Sequence, residues 1–129
     1  MRSIPFMALL LVGACGGAAQ AQESADFTHP YRFQHTEGKD LYRSLCQGCH
    51  MPDGQGAEGA GRYPALAKNP NLEYPEYSVH LILNGRNAMP GFARRLNDDQ
   101  VAAIVDYVRT HFGNAYEGKV DPASVKDAR

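Results

Sequence analysis

The sequence has few cysteines, and they are unevenly placed. Of three cysteines in 129 residues, Cys46 and Cys49 stand three positions apart, and Cys15 lies in an apolar N-terminal stretch. A structural zinc site needs a second pair of Cys or His residues at ligand spacing, and the sequence offers none. A thioredoxin-like dithiol belongs in a βαβ unit, and no run of residues predicts a strand. Both interpretations of the cysteine pair are therefore disfavoured.

An excess of positive charge is also lacking. The chain carries 13 basic and 14 acidic residues, a formal net charge of -1. Removal of the N-terminal stretch would take Arg2 with it and leave 12 basic residues against 14 acidic ones. This balance argues against nucleic acid or an anionic membrane surface as a partner, and against a lysine-rich docking surface.

A hydrophobic run long enough to cross a bilayer is absent from the sequence. The apolar stretch from Ile4 to Val12 is too short, so no transmembrane segment is predicted. A small-x-small site at residues 19–21 follows it, which predicts a signal peptide over residues 1–21. In a second interpretation, residues 12–15 form a lipoprotein box and Cys15 carries a lipid anchor. Both interpretations predict export, and we expect a periplasmic protein.

The informative feature that is present is the pair Cys46 and Cys49 with His50 directly after it. This spacing is the attachment site of a c-type haem. Each thiol can form a thioether with one haem vinyl group, and about one helical turn separates the two sulfurs. His50 can then give a nitrogen to the iron as the proximal ligand. The sequence therefore predicts one covalently attached haem c.

A methionine is the best candidate for the second iron ligand. Of four methionines, two lie in the predicted leader, and Met51 is held on the proximal side by its neighbour His50. Met89 remains; Pro90 favours an extended backbone at Met89, and Gly91 permits a tight turn. The sequence thus predicts His50 and Met89 as the iron ligands. The competing distal candidates are His29, His35, His80 and His111. Of these, His80 and His111 are expected at the surface or as helix caps.

Four further residues are candidates for the haem environment. A proximal histidine needs an acceptor for its other ring nitrogen, and a loop carbonyl near Pro64 can supply it; the alternative is an ordinary turn proline. Arg62, Tyr63 and Arg86 can meet the haem propionates. For each of these three, the alternative is a solvated surface residue.

Two helices are predicted in the first part of the chain and its centre. The first runs from Thr36 or Glu37 to Cys46, with Thr36 as its cap. The second begins at Pro75, a favourable first-turn residue, and ends at Gly85 in a left-handed conformation.

The third helix has the strongest sequence signals. Asn97 is predicted to cap it, with Gln100 completing a capping box and with Leu96 and Val101 as a hydrophobic staple. Gly113 is expected to end it. Residues 36–114 are predicted to form the domain, with an N-terminal extension over residues 22–35 and a polar tail over residues 115–129 that can fold back on the core.

Taken together, these motifs resemble those of a class I cytochrome c, over nearly all of residues 36–113. The resemblance implies an all-α cytochrome c fold, with three main helices and long loops wrapped around one covalently attached haem. It also implies that Gly38 and Tyr42 on the first helix cross Ile104 and Tyr107 on the last. Pro64 matches the loop proline whose carbonyl holds the proximal histidine.

A narrower resemblance is to the cytochrome subunits of bacterial periplasmic dehydrogenases, carried by residues 51–56, 84–92 and 112–114. It implies an electron carrier, not an enzyme. The donor would be a flavin, quinone or molybdenum dehydrogenase, and the acceptor a downstream cytochrome or oxidase of the respiratory chain. The chain lacks the tryptophan and the lysine surface of mitochondrial relatives. A free soluble shuttle and a catalytic or gas-binding haem domain remain as alternatives.

Overall fold

The computed structural model describes residues 33–59 and 61–129. The predicted signal peptide, Cys15 and His29 lie outside these ranges. No helix within them has the length and apolar character that a bilayer crossing requires. A 3-10 helix covers Pro70–Glu73, and two short strands are β1 (Ala57–Glu58) and β2 (Arg62–Tyr63). The α-helices, in chain order, are α1 (Gly38–Leu45), α2 (Gln47–His50), α3 (Pro75–Asn84), α4 (Asp98–Thr110) and α5 (Pro122–Asp127).

Helices α1 and α4 cross in direct contact at Gly38. A Cβ atom at Gly38 would lie 2.8 Å from the Cβ of Tyr107 and would overlap the carbonyl oxygen of Ala103. Beside this contact the rings of Tyr42 and Tyr107 pack with their centroids 5.6 Å apart. This is the crossing that the resemblance implies, and it explains a glycine inside a helix, where it costs about 1 kcal/mol relative to alanine.

The predicted start of α4 is confirmed. The Asn97 side chain accepts a hydrogen bond from the Gln100 backbone (2.8 Å), and the Gln100 side chain accepts one from the Asn97 backbone (3.0 Å). The Gln100 side-chain amide also donates to the carbonyls of Phe33 and His35. Gln100 thus completes the capping box and also binds the chain segment that precedes α1.

Two predicted helix ends differ from the structure. The N-cap of α1 is Glu37, without a side-chain bond, so the prediction of Thr36 as the cap was wrong. Helix α4 ends at Thr110, short of Gly113. His111 leaves the helix with φ of -120° and ψ of 177°, and the side-chain amide of Asn114 donates to the Val108 carbonyl (2.8 Å) near that end. The predicted bounds of α3, from its first-turn proline to a glycine with φ of 73°, are confirmed.

Two short strands, which the sequence did not predict, lie within the described residues. Strands β1 and β2 pair antiparallel, with Ala57 opposite Tyr63 and Glu58 opposite Arg62. Two-residue strands are too short to show the period-2 alternation that marks a strand in a sequence. Gly56 (φ 68°) precedes this hairpin and packs so closely on Tyr63 that a Cβ atom there would collide with its carbonyl oxygen.

The C-terminal tail folds back on the core, as expected, and contains the unpredicted helix α5. Val125 in that helix is fully buried among the core residues of α1, α3 and α4. The buried guanidinium of Arg109 links the 3-10 helix to the tail. It donates hydrogen bonds to two backbone carbonyls of the 3-10 helix and two of the tail: Leu72, Glu73, Glu117 and Gly118.

Candidate functional site

The two cysteines of the attachment motif lie where α1 gives way to the single turn of α2. The carbonyl of Cys46 accepts hydrogen bonds from the backbones of Cys49 (3.1 Å) and His50 (2.9 Å), which closes that turn. Both thiols are free, and Cys49 is exposed. Burial raises the pKa of the Cys46 thiol to about 12, with a smaller contribution from Cys49. Cys46 is therefore a neutral thiol at neutral pH.

His50 is buried and has a defined tautomer. Its Nδ1 lies 2.9 Å from the carbonyl oxygen of Pro64, which can only accept a hydrogen bond. Nδ1 therefore carries the proton, and in the neutral ring Nε2 keeps its lone pair. The Gly56 backbone also donates to the His50 carbonyl (3.0 Å), which fixes the residue from its other end. This geometry leaves an imidazole nitrogen that can bind a metal.

The turn after His50 is strained and held by a buried tyrosine. Met51 has φ of 64° and ψ of 158°, a conformation that is almost confined to glycine. The Tyr42 hydroxyl donates to the Met51 carbonyl (2.6 Å), and the Gly54 backbone donates to the same oxygen (3.1 Å). Burial is the largest cause of a strongly raised pKa for Tyr42, so its hydroxyl keeps its proton. Sequence reasoning found the Tyr42 ring but missed the hydroxyl bond.

Met89 sits in a tight loop folded against the end of α3. Arg86 and Met89 exchange two backbone hydrogen bonds of 3.0 Å, and Asn87 between them has φ of 53°. Glycines flank the loop because neighbouring backbone leaves no room for a side chain. A Cβ atom on Gly85 would collide with the carbonyl oxygen of Met89, and a Cβ atom on Gly91 would lie 2.7 Å from the carbonyl oxygen of Leu83.

One cavity of about 440 Å³ brings the predicted residues together. Its walls are largely apolar and come from α1, the 3-10 helix, α3 and α4. The exposed Arg62 at its margin pairs with Glu58 (3.2 Å). Of the competing histidines, the described His35, His80 and His111 are not among the lining residues. All eight predicted site residues line the cavity: Cys46, Cys49, His50, Arg62, Tyr63, Pro64, Arg86 and Met89.

The donor set of this cavity fits a c-type haem. Two thiols, an imidazole with a free Nε2 and a thioether share an apolar space. Ser78 also lines the cavity, and its hydroxyl oxygen is buried beneath that surface with no hydrogen-bond partner among the described residues. Sequence reasoning missed Ser78, although its position four residues before Ile82 places both on one helix face.

The fold and this cavity define a cytochrome c domain, and comparison with protein families agrees. The family model described as cytochrome c oxidase, cbb3-type, subunit III matches residues 33–108, and the chain belongs to that family. The class I cytochrome c resemblance is thereby confirmed. The chain is a predominantly helical cytochrome c domain, and its broad role is that of a haem-binding electron carrier.

Curated relatives include cytochrome subunits of dehydrogenases and a small cytochrome. The fructose dehydrogenase cytochrome subunit of Gluconobacter japonicus is 36% identical over 109 residues, which cover 73% of this chain and 22% of that subunit. The cytochrome c subunit of the quinone alcohol dehydrogenase of Gluconacetobacter polyoxogenes is 35% identical, over 71% of this chain and 22% of that subunit. Cytochrome c-551 of Bacillus subtilis (strain 168) is 32% identical, over 79% of this chain and 85% of that cytochrome. The chain thus spans about a fifth of the two dehydrogenase subunits and most of the small cytochrome.

Proposed function

We propose that this chain is a periplasmic carrier of single electrons, with one haem c attached through Cys46 and Cys49 and held between His50 and Met89. The observation that carries the proposal is that these four side chains line one largely apolar cavity. A haem, when bound, supplies a ferric/ferrous couple. Ligation by histidine and methionine favours the ferrous form and gives a comparatively high potential.

The residues of the chain hold and tune the group, and they carry out no substrate chemistry. The Pro64 carbonyl accepts the Nδ1 proton of His50, which sets the tautomer and strengthens the imidazole as a donor. The tight loop against Gly85 presents the Met89 thioether. Apolar side chains such as Ile82 and Val108 line the cavity and exclude water.

Replacement of Met89 tests this function. In the ferric holoprotein we expect a weak red absorption band from the methionine–iron bond; Met89→Ala should abolish it, and the ferrous variant should bind carbon monoxide rapidly. Met51→Ala is the matched control, since it removes a thioether beside His50, and it should keep the band. A mature protein without covalent haem, a band that survives Met89→Ala, or rapid carbon monoxide binding by the unmodified protein would contradict the proposal.

The donor in our proposal is a dehydrogenase with a flavin, quinone or molybdenum cofactor, and the acceptor is a downstream cytochrome or oxidase. Similarity to the cytochrome subunits of fructose and alcohol dehydrogenases supports this partner. A free soluble shuttle is the second candidate, favoured by the match to most of the small cytochrome c-551. The position of Met89 on the cavity disfavours a catalytic or gas-binding haem, which needs an open axial position.

A further inference from the structure

The side chain of Asn114 ties the loop that carries Pro64 to the end of α4. Its amide donates to the carbonyls of Leu66 and Val108, each over 2.8 Å, and its Oδ1 accepts a hydrogen bond from the backbone of Asn69 (3.0 Å). Asn114 is 7% exposed. Every polar atom of this buried side chain therefore has a backbone partner, and two of the three partners belong to the loop.

The position of the Pro64 carbonyl depends on what holds this loop. That carbonyl accepts the Nδ1 proton of His50, but Pro64 itself is exposed, so burial of its ring does little to fix it. The backbone of Leu66 donates to the Gly54 carbonyl (2.7 Å), which ties the loop to the segment that follows His50. The bond from Asn114 to the Leu66 carbonyl ties it to a core helix, two residues after Pro64.

Resting on the proposed function, we propose that Asn114 is a positioning residue for the iron, which keeps the Pro64 carbonyl in line with Nδ1 of His50. Asn114 is not among the described residues that line the cavity, so its effect on a bound haem passes through the loop. A well-aligned bond to Nδ1 makes the imidazole a stronger donor to a metal. A stronger donor favours the ferric form, so the contact made by Asn114 lowers the reduction potential.

Replacement of Asn114 in the holoprotein tests this role through the Nδ1 proton of His50. In the ferrous, diamagnetic protein with isotopically labelled histidine nitrogens, that proton should give a downfield resonance. Asn114→Ala should move the resonance upfield, because the bond to Pro64 is weakened, and the midpoint potential should rise. The red methionine–iron band of the ferric protein should stay, because Met89 is unchanged.

A second variant of the same size guards against loss of folding. Asn114→Asp keeps the acceptor for the Asn69 backbone, but a carboxylate that is ionised at mildly alkaline pH has no proton for the Leu66 carbonyl. It should move the Nδ1 resonance upfield relative to the unmodified protein at the same pH. The potential is not compared for this variant, because the added charge shifts the potential by itself.

Gln100→Ala is the matched control. Gln100 is 4% exposed, and its side chain also makes three hydrogen bonds to backbone groups, all of them outside the Pro64 loop. The control should therefore lose a similar amount of stability in guanidinium titrations and leave the Nδ1 resonance and the potential unchanged.

Three results would overturn the inference. An unmoved resonance and potential in Asn114→Ala would show that the amide only stabilises the fold, and equal changes in Gln100→Ala would show a general loosening. If Asn114→Ala does not fold, an unmoved resonance in Asn114→Asp has the same meaning. Failure of the proposed function is distinguishable from all three, because the unmodified protein would then lack covalent haem or the methionine–iron band.

Discussion

At the residue scale, the Tyr42 hydroxyl bond gives a direct prediction. Tyr42→Phe keeps the ring in the α1–α4 contact and removes the bond to the Met51 carbonyl. A hydrogen bond of this kind contributes about 0.5–1.5 kcal/mol net, so we expect the free energy of unfolding of the holoprotein to fall by about 1 kcal/mol in guanidinium titrations. Tyr107→Phe is the matched control, since no bond of the Tyr107 hydroxyl is found within the described residues. Equal stability of the two variants would contradict the prediction.

Single residues were predictable where their chemistry depends on near neighbours in the sequence. Cys46, Cys49 and His50 form a motif by spacing alone, and Met89 is marked by the proline and glycine that follow it. The buried hydroxyl of Ser78 was not predictable in this way. Its burial depends on which face of α3 packs inward, and that is a property of the tertiary structure.

At the element scale, the crossing of α1 and α4 predicts a cost for any side chain at Gly38. Gly38→Ala gains helix propensity, but the added methyl group overlaps the Ala103 carbonyl and the Tyr107 Cβ. Overpacking of this kind costs about 1–3 kcal/mol, and thermal unfolding should show the corresponding loss. Gly48→Ala is the control, because no described atom lies within 4 Å of a Cβ atom there. A Gly38→Ala variant as stable as the Gly48→Ala variant would refute the close approach.

Helices were predictable where capping and periodicity agree, and not where tertiary contacts decide. The capping box at Asn97 fixes the start of α4 from side chains within four residues. Its end at Thr110 has no comparable signal in the sequence, and the residues just beyond it contact distant parts of the chain, as in the bond between Lys68 and Phe112. The same holds for α5, whose burial of Val125 needs a core built by the other helices.

At the scale of the whole molecule, charge placement predicts how a partner docks. The loop from Ala88 to Phe92 lines the cavity in part and is largely exposed, and Arg94 and Arg95 follow it as exposed cations. Although the chain as a whole is slightly acidic, these two arginines form a basic rim beside the loop. This rim can orient an acidic surface of a partner. Exposed charges at the rim of an interface affect the association rate more than the affinity.

The partner for this test is a dehydrogenase that co-purifies with the tagged chain from the native cell and reduces it when substrate is added. With the Arg94→Glu, Arg95→Glu double variant, the second-order rate of reduction should fall about tenfold at low salt, because electrostatic steering is lost. The difference should shrink as added salt screens the charges. Arg43→Glu, an exposed change on α1 away from the cavity, is the control and should cost much less. Equal rates for the two variants would place docking elsewhere, and the absence of a co-purifying dehydrogenase would favour the free shuttle.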